Sequence, residues 1–368
     1  MRGWLEPGFA MTLVSIALAD FRNHAETRLE AAGPLNLLIG PNGAGKTNVL
    51  EALSLLAPGR GLRRAQLSEM ARQRGGGGFA IGATLTGNAE IRLGTFVEPA
   101  QPARRRARVN GVESSAAGVA EWLSVGWLTP AMDGLFAAPA SERRRYLDRL
   151  ALALNPGHAG HASRFEAALR ERNRLLGDTR APDPRWLDAI EAQLSASGAS
   201  LAEGRATLVE ALMGEIVRHG EDPFPRPALS YVPGGPMGAE QLSQALHDGR
   251  SRDRAAGRTL SGPHRDELEV IYAVKRTPAA ASSTGEQKAL LIAMTLAHAA
   301  LAARGRPALL LLDEVAAHLD PQRRAALFER LGDSGTQLWV TGTEIAPFET
   351  LAGAATVWQV DGGEARKT

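Results

Sequence analysis

The hydrophobic pattern of the chain mixes unbroken apolar runs with helix-like spacings, which is typical of an α/β protein. Leu35–Ile39 and Ala308–Leu312 are short apolar runs of the kind that form strands buried on both faces of a sheet. Helical spacing follows in residues 47–56 and again in residues 286–303. We therefore predict parallel strands covered by helices.

Two other segments have different periods. Residues 79–112 alternate apolar and polar positions, which predicts antiparallel strands with a two-residue hairpin turn at Asn110-Gly111. Residues 141–219 have a helical pattern without sustained heptads, which predicts a helical arm and no long coiled coil. Strand-like runs return after residue 226, so the arm interrupts a sheet-containing domain.

A glycine-rich loop follows the first apolar run. Residues 40–47 read GPNGAGKT, and the strand before them and the helix after them are the context that defines a phosphate loop. Glycines let backbone N–H groups face phosphates, Lys46 is expected to reach the β- and γ-phosphates of ATP, and Thr47 is expected to hold Mg²⁺. A chance glycine turn is the alternative. The chain has 38 Arg and only 4 Lys, so a Lys at this position indicates that a compact ammonium group is needed.

Carboxylates end the second apolar run. We expect Asp313 to bind Mg²⁺ and Glu314 to act as the general base on water. Ser283 and Gly285 stand before the helical stretch, where a hydroxyl and free N–H groups can bind an anion. A solvated strand end and an ordinary helix cap would explain these residues singly. Their order along the chain favours a nucleotide site.

Six motifs complete this pattern. They are Ala19-Asp20-Phe21-Arg22-Asn23, GPNGAGKTNVLEAL, SERRRYLD at 141–148, GPHRDEL at 262–268, STGEQK at 283–288, and LLLLDEVAAHLD at 309–320. Together they resemble the RecF family, in the SMC-like branch of the ABC-type ATPases. The resemblance implies an α/β fold, a P-loop ABC-type ATPase head with a mixed sheet and antiparallel strands, split by a helical lever-arm insertion.

The resemblance also implies an activity and partners. It implies a homodimer that closes on ATP, binds duplex, gapped or single-stranded DNA without sequence preference, and opens on hydrolysis as a weak DNA-stimulated ATPase. It implies work with RecR and RecO, and indirectly with RecA, in recombinational repair, replication restart and SOS induction, in the cytoplasm at the nucleoid and not at a membrane. ATP and Mg²⁺ are the implied cofactors.

The expected site residues fall into three groups. Catalytic roles are expected for Glu314, Lys46 and Ser283, nucleotide contacts for Gly40, Pro41, Asn42, Gly43, Ala44, Gly45, Lys46, Thr47, Asn48, Arg22, Ser283, Gly285 and Asp320, and metal contacts for Thr47 and Asp313. Asp320 lies in a segment that resembles the D-loop of the ABC-type ATPases, and residues 338–343 resemble the sensor strand of those proteins. Three departures leave the Q-loop and γ-phosphate sensor unassigned: Glu at 314, no His after the sensor strand, and no Gln in residues 127–130.

The expected organisation is a split ATPase domain. We predict a disordered extension at residues 1–10, the N-terminal half of the ATPase domain at 11–135, the helical arm at 136–225, and the C-terminal half of the ATPase domain at 226–368.

The composition of the chain limits the kinds of partner and site that we expect. The chain has no Cys, which excludes disulfides and thiolate metal sites, and its net charge is only +2, so DNA contacts would need local patches. Candidate patches are the arginines at 63–64, 104–108, 143–145 and 252–258, although a solvated face explains each of them as well. His158 and His161 are expected to be surface residues. We expect no signal peptide and no membrane-spanning segment, because no apolar stretch is long enough for either.

Two other functions stay open. A transporter's nucleotide-binding subunit would share the core motifs, but it should have a Gln loop, a closing His and a shorter insertion. A non-hydrolysing scaffold would hold ATP as a clamp without turnover. Measurement of hydrolysis separates the clamp from an ATPase.

Overall fold

The computed structural model describes residues 11–180, 182–218, 220, 223–315 and 319–368. The predicted extension at residues 1–10 lies outside them. Two compact units can be distinguished. The phosphate-loop unit comprises Met1–Asp133, Asp222–Phe224 and Thr295–Thr368, and the helical unit comprises Gly134–Glu221 and Pro225–Met294. The division predicted at 135/136 and 225/226 stays a prediction.

The elements follow one another in the predicted order. The first are β1 (Thr12–Phe21), β2 (His24–Glu30), β3 (Leu35–Ile39), α1 (Lys46–Ser54), α2 (Leu67–Met70), β4 (Phe79–Thr86), β5 (Glu90–Val97), β6 (Arg105–Val109), β7 (Val112–Ser114), α3 (Ala116–Ala120) and β8 (Ser124–Leu128). The middle elements are α4 (Ala140–Leu154), α5 (His158–Leu176), α6 (Pro184–Arg218), β9 (Pro227–Val232), α7 (Ala239–Asp248), α8 (Arg250–Ala255), β10 (Glu267–Tyr272) and β11 (Thr277–Pro278). The last are α9 (Thr284–Ala302), β12 (Ala308–Leu312), α10 (Pro321–Asp333), β13 (Gln337–Gly342), α11 (Glu349–Ala352), β14 (Thr356–Asp361) and β15 (Glu364–Lys367).

A mixed sheet forms the centre of the phosphate-loop unit. Its order is β15-β14-β3-β13-β12-β8, with every neighbouring pair parallel except β14 and β15. Strands β3, β12 and β13 are buried along their whole length, as the unbroken apolar runs predict. Because these strands are parallel, their carboxyl ends lie at one edge of the sheet, where Gly40 and Asp313 follow.

An antiparallel sheet of order β2-β1-β4-β5-β6-β7 completes the same unit. Alternate residues of β4 and β5 are buried, because one face of the sheet packs on the hydrophobic core. The predicted turn joins β6 to β7, and Asn110 (φ 51°) and Gly111 (φ 81°) both have the left-handed backbone that a two-residue hairpin requires.

The helical unit contains α4 to α8 and the three-stranded antiparallel sheet β11-β10-β9. Its core joins α5, α6 and α7 through apolar side chains such as Phe165, Leu194 and Leu242. His158 is 3% exposed and its Nε2 lies 2.9 Å from Asp148 Oδ1, so the expectation of a surface position was wrong for this residue. Among the described helices, none is both long and apolar enough to cross a membrane.

Candidate functional site

The loop between β3 and α1 has a conformation that requires glycine. Gly43 (φ 82°) and Gly45 (φ 116°) have left-handed backbones. At Gly40 the reason is contact, because a Cβ there would lie 2.0 Å from the carbonyl oxygen of Val360 in β14. The first N–H groups of a helix have no partner within the helix, and in the described structure no side chain caps the start of α1.

Lys46 is the first residue of α1, directly after this loop. Its side chain is buried, and Nζ donates to the carbonyl oxygens of Gly40 (2.6 Å) and Pro41 (2.8 Å). Burial lowers the pKa of Lys46, while the negative charges of Glu314 and Asp313 act in the opposite direction. The ammonium group therefore stands between the phosphate loop and the carboxylates that follow β12.

A hydrogen-bonded cluster joins the start of α1 to the ends of β12 and β13. The hydroxyls of Thr47 and Thr341 donate to the same oxygen of Asp313, Oδ1, at 2.8 and 2.9 Å. The N–H of Glu314 donates to Thr341 Oγ1 at 2.9 Å, and Glu314 has a left-handed backbone (φ 53°), which is unusual for a residue with a side chain. Thr341 thus fixes both carboxylate residues.

The oxygens of this cluster fit Mg²⁺. A hydroxyl and a carboxylate are hard ligands, and Mg²⁺ is usually held by one or two protein oxygens together with phosphates and water. In the described part of the chain nothing donates to Asp313 Oδ2. Among the described residues, no group of three or more His, Cys, Asp or Glu side chains could hold a metal ion.

Arg22 and Asn48 flank the loop. Arg22 forms a bidentate ion pair with Glu51 of α1 (2.7 and 2.8 Å), and Glu51 also accepts from Arg63 at 3.3 Å. Asn48 donates to Asn23 and accepts from Arg63, both at 2.7 Å. Arg22 also lines a cavity of about 660 Å³. The structure therefore brings both predicted residues to the same side of α1.

The remaining predicted residues lie elsewhere. Ser283 and Gly285 belong to the helical unit, and Ser283 caps α9: its N–H donates to Glu286 (3.0 Å) and its Oγ accepts from the N–H of Glu286 (3.4 Å). Asp320 caps α10 by accepting from the N–H of Arg323 at 2.9 Å. These contacts stabilise helix starts, and a nucleotide role for them stays a prediction.

Known proteins are similar to this chain in sequence and in fold. Residues 12–364 match the family model of the RecF/RecN/SMC N terminal domain. The DNA replication and repair protein RecF of Mesorhizobium japonicum is 47% identical over 96% of this chain and 97% of its own length, and that of Caulobacter vibrioides is 45% identical over 93% and 95%. The chain belongs to the RecF family. A solved structure of the recombination mediator protein RecF-ATPrS in the RecFOR pathway shares the fold, with a TM-score of 0.86 and 22% identity over 98% of this chain and 99% of that one.

The predicted fold class is thereby confirmed. An Smc head domain from Pyrococcus furiosus also resembles the chain, with a TM-score of 0.54 and 16% identity over 97% of this chain and 96% of that one. The RecF family therefore shares the ABC-type ATPase head with the SMC proteins, and here a helical insertion interrupts that head.

Two of the six motifs meet inside the helical unit. Arg143 of SERRRYLD forms a bidentate ion pair with Glu267 of GPHRDEL, both bonds 2.6 Å long. Arg205 of α6 donates to both oxygens of Asp148 (2.8 Å each) and to Asp266 (2.7 Å). The motifs therefore form one internal ion-pair cluster.

The arginine run on β6 is also engaged internally. Arg106 pairs with Glu98 (2.7 Å) and Glu113 (2.9 Å). Arg108 stacks on the ring of Phe96, and burial lowers the pKa of Arg105 to about 10. This run therefore offers less free positive charge than its sequence indicates.

Sequence reasoning missed three residues of the site. Thr341 holds the carboxylates, while Asn23 and His24 contact the phosphate loop from outside: Asn23 Nδ2 donates to Ala44 O at 3.0 Å, and His24 Nε2 lies 3.1 Å from Gly45 O. Thr341 stands in the sensor strand that the sequence does indicate, so that resemblance could have led to it. Asn23 ends the motif at residues 19–23, so the resemblance could have led to it as well, whereas His24 gives no signal in the sequence.

Proposed function

We propose that the chain is an ATP-dependent DNA-binding protein of replication and recombinational repair. One observation carries the proposal: Thr47 of the phosphate loop is hydrogen-bonded to Asp313 at the end of β12, so the residues proposed to bind phosphate and the residue proposed to bind Mg²⁺ lie together. The relatives of 45–47% identity that are named DNA replication and repair protein RecF support it.

The chemistry follows from the residues at the strand ends. On binding ATP, Lys46 would exchange the carbonyls of the loop for oxygens of the β- and γ-phosphates, which are charged and stronger acceptors. Thr47 and Asp313 would hold Mg²⁺, which when bound neutralises charge on those phosphates. Glu314 would accept a proton from the attacking water, in a position fixed by the bond of its N–H to Thr341.

The second half of the site would come from another copy of the chain. Ser283 and Gly285 stand at the start of α9, where N–H groups and the helix dipole favour an anion. We propose that they contact the γ-phosphate held by the partner, so that ATP favours a closed homodimer. Hydrolysis removes those contacts and opens the dimer.

The closed dimer would bind DNA and act with other repair proteins. We propose contacts with phosphates and not with base edges, a weak DNA-stimulated ATPase, and work with RecR and RecO in loading RecA in the cytoplasm at the nucleoid. The solved structure that resembles the chain is of a RecF in the RecFOR pathway, which supports these partners. The match of almost the whole chain to RecF relatives leaves no support for a transporter subunit.

Single-turnover hydrolysis tests the catalytic assignment and the clamp alternative. Glu314→Gln keeps the size of the side chain but removes the base, so we expect hydrolysis to slow roughly 10²- to 10⁴-fold with ATP affinity retained. Glu329→Gln, on the exposed face of α10, is the matched control. Turnover by Glu314→Gln at the wild-type rate would reject the base, and absence of turnover by the wild type, with and without DNA, would favour the clamp.

Sedimentation with and without Mg²⁺ and ATP tests the dimer. Ser283→Arg should bind nucleotide as a monomer, because a long charged side chain blocks the partner's γ-phosphate, while Ser251→Arg on exposed α8 should dimerise normally. Sedimentation repeated with a gapped DNA duplex at two salt concentrations tests whether the protein contacts DNA phosphates. Such contacts predict much weaker DNA binding at the higher salt concentration. Normal dimerisation of Ser283→Arg would disprove the assignment across the interface.

A further inference from the structure

His24 begins β2, and its ring is fully buried against the phosphate loop. Nε2 lies 3.1 Å from the carbonyl oxygen of Gly45, and Nδ1 lies 2.9 Å from Thr27 Oγ1. A carbonyl oxygen can only accept a hydrogen bond, so the contact with Gly45 needs the ring proton on Nε2. The ring thus ties β2 to the residue that immediately precedes α1.

The same network holds the preceding carbonyl of the loop. Thr27 Oγ1 lies 2.8 Å from the carbonyl oxygen of Gly363 in the turn between β14 and β15, and its single proton can go either to that oxygen or to Nδ1 of His24. The N–H of Gly363 and the Nδ2 of Asn23 both donate to the carbonyl oxygen of Ala44, each at 3.0 Å. The carbonyl of Ala44 is therefore held from outside the loop. The carbonyl of Gly45 is held by His24 together with the N–H groups of Asn48 (3.0 Å) and Val49 (3.2 Å) in the first turn of α1.

The direction of these carbonyls decides where the phosphate-binding N–H groups point. The carbonyl of Ala44 shares a planar peptide with the N–H of Gly45, and the carbonyl of Gly45 shares the next peptide with the N–H of Lys46. In a trans peptide the C=O and N–H point in opposite directions. Donors that hold both carbonyls outward consequently turn both N–H groups inward.

We propose that His24 is a positioning residue for nucleotide binding, whose Nε2–H holds the Gly45 carbonyl so that the N–H of Lys46 faces the phosphates. The close packing supports this role, because a Cβ on Gly45 would lie 2.8 Å from His24 Nε2. The inference rests on the proposed nucleotide site and adds a residue to it.

Two substitutions separate the two nitrogens of the ring. In His24→Gln the amide nitrogen stands where Nε2 stood and can still donate to Gly45, whereas in His24→Asn it reaches only the position of Nδ1. We expect His24→Asn to raise the Kd for a fluorescent N-methylanthraniloyl ATP with Mg²⁺ by roughly fivefold to tenfold, the effect of one net hydrogen bond. His24→Gln should stay within about twofold of the wild type. His247→Asn, at an exposed position on α7, is the control for the substitution itself.

A second readout distinguishes positioning from loss of stability. The bond to Gly45 acts on the bound substrate and the transition state alike, so hydrolysis at saturating ATP should change by less than about twofold in His24→Asn. The melting temperature of each ligand-free variant is measured beside its Kd. Equal affinities of the two variants, or an affinity loss that follows melting temperature alone, would overturn the inference.

Three further outcomes decide whether this inference and the proposed function hold. If His24→Asn fails to fold, Thr27→Val removes the hydroxyl that orients the ring, and unchanged affinity in that variant would equally overturn the inference. If the wild type itself does not bind the ATP analogue, the proposed function falls and this inference with it. If the wild type binds and only the variants disagree with expectation, the proposed function stands and this inference alone falls.

Discussion

Thr341 is hydrogen-bonded to both carboxylate residues that follow β12, and Thr341→Val tests its role in positioning the proposed base Glu314. The side chain is 1% exposed, its hydroxyl donates to Asp313 Oδ1, and it accepts from the N–H of Glu314. Valine keeps the shape and removes both bonds. A hydrogen bond to a charged acceptor contributes about 1.5 to 3 kcal/mol, and a partly buried N–H left without an acceptor costs about 1 kcal/mol. We therefore expect the free energy of unfolding to fall by about 2.5 to 4 kcal/mol.

The effect on hydrolysis should be separable from the effect on binding. Without the bond to Thr341, the left-handed backbone of Glu314 loses the contact that fixes its direction, and a displaced base slows the chemical step roughly 10- to 100-fold. ATP affinity should change little, because the phosphate loop is not altered. Urea unfolding followed by tryptophan fluorescence measures stability, and single-turnover hydrolysis at saturating Mg²⁺ and ATP measures the chemical step.

Thr341→Ser is the matched control, because it keeps the hydroxyl and removes one methyl group. It should lose about 1 kcal/mol of stability or less and hydrolyse ATP at nearly the wild-type rate. Wild-type turnover by Thr341→Val would refute the role of Thr341 in positioning Glu314. An equal loss in both variants would show that packing, and not the hydroxyl, is what matters.

Two further predictions concern the phosphate loop and the helical unit. Gly40→Ala should weaken ATP binding at least about tenfold, because its Cβ would lie 2.0 Å from a backbone oxygen of Val360. A Cβ on Gly43 would have nothing within 4 Å, so Gly43→Ala should show only the backbone strain of about 1 to 2 kcal/mol in urea unfolding. Equal losses of ATP affinity in the two variants would contradict this prediction. Burial opposes ionisation of Asp148, but hydrogen bonds from His158 and Arg205 outweigh it and lower its pKa. The resulting stability is complete above the unfolded pKa of about 3.9 and is lost as pH falls through the lower folded value. Asp148→Asn should remove that acid-dependent part of the unfolding curve, and an unchanged slope below about pH 4 would argue against it.

Local patterns in the sequence predicted much of the fold, since they need only near neighbours. Apolar runs gave β3 and β12, because a strand buried on both faces must be apolar throughout. An ordinary helix cap was one interpretation of Ser283, and Ser283 does cap α9 through a local contact with Glu286. The phosphate loop needs a fixed set of residues in one stretch, so its position was predictable as well.

Contacts between distant residues were not predictable in the same way. Thr27 and Gly363 are 336 positions apart, and Asp313 and Thr341 are joined only because β12 and β13 lie side by side. Each of these residues is common in loops and strands, so its type carries no signal of its partner. His158 was expected at the surface but is buried. Its pairing with Asp148 compensates for the burial of a polar ring.

The internal ion pairs also change where DNA contacts are to be sought. A run such as Arg143-Arg144-Arg145 is basic in sequence, yet Arg143 is paired with Glu267, Arg144 donates to the backbone of Asp266, and Arg145 pairs with Glu142. A guanidinium that already has a carboxylate partner gains little from a DNA phosphate, because the new bond replaces one of similar strength. The SERRR motif therefore contributes to the fold of the helical unit, and a search for DNA contacts by substitution is better directed to arginines outside it.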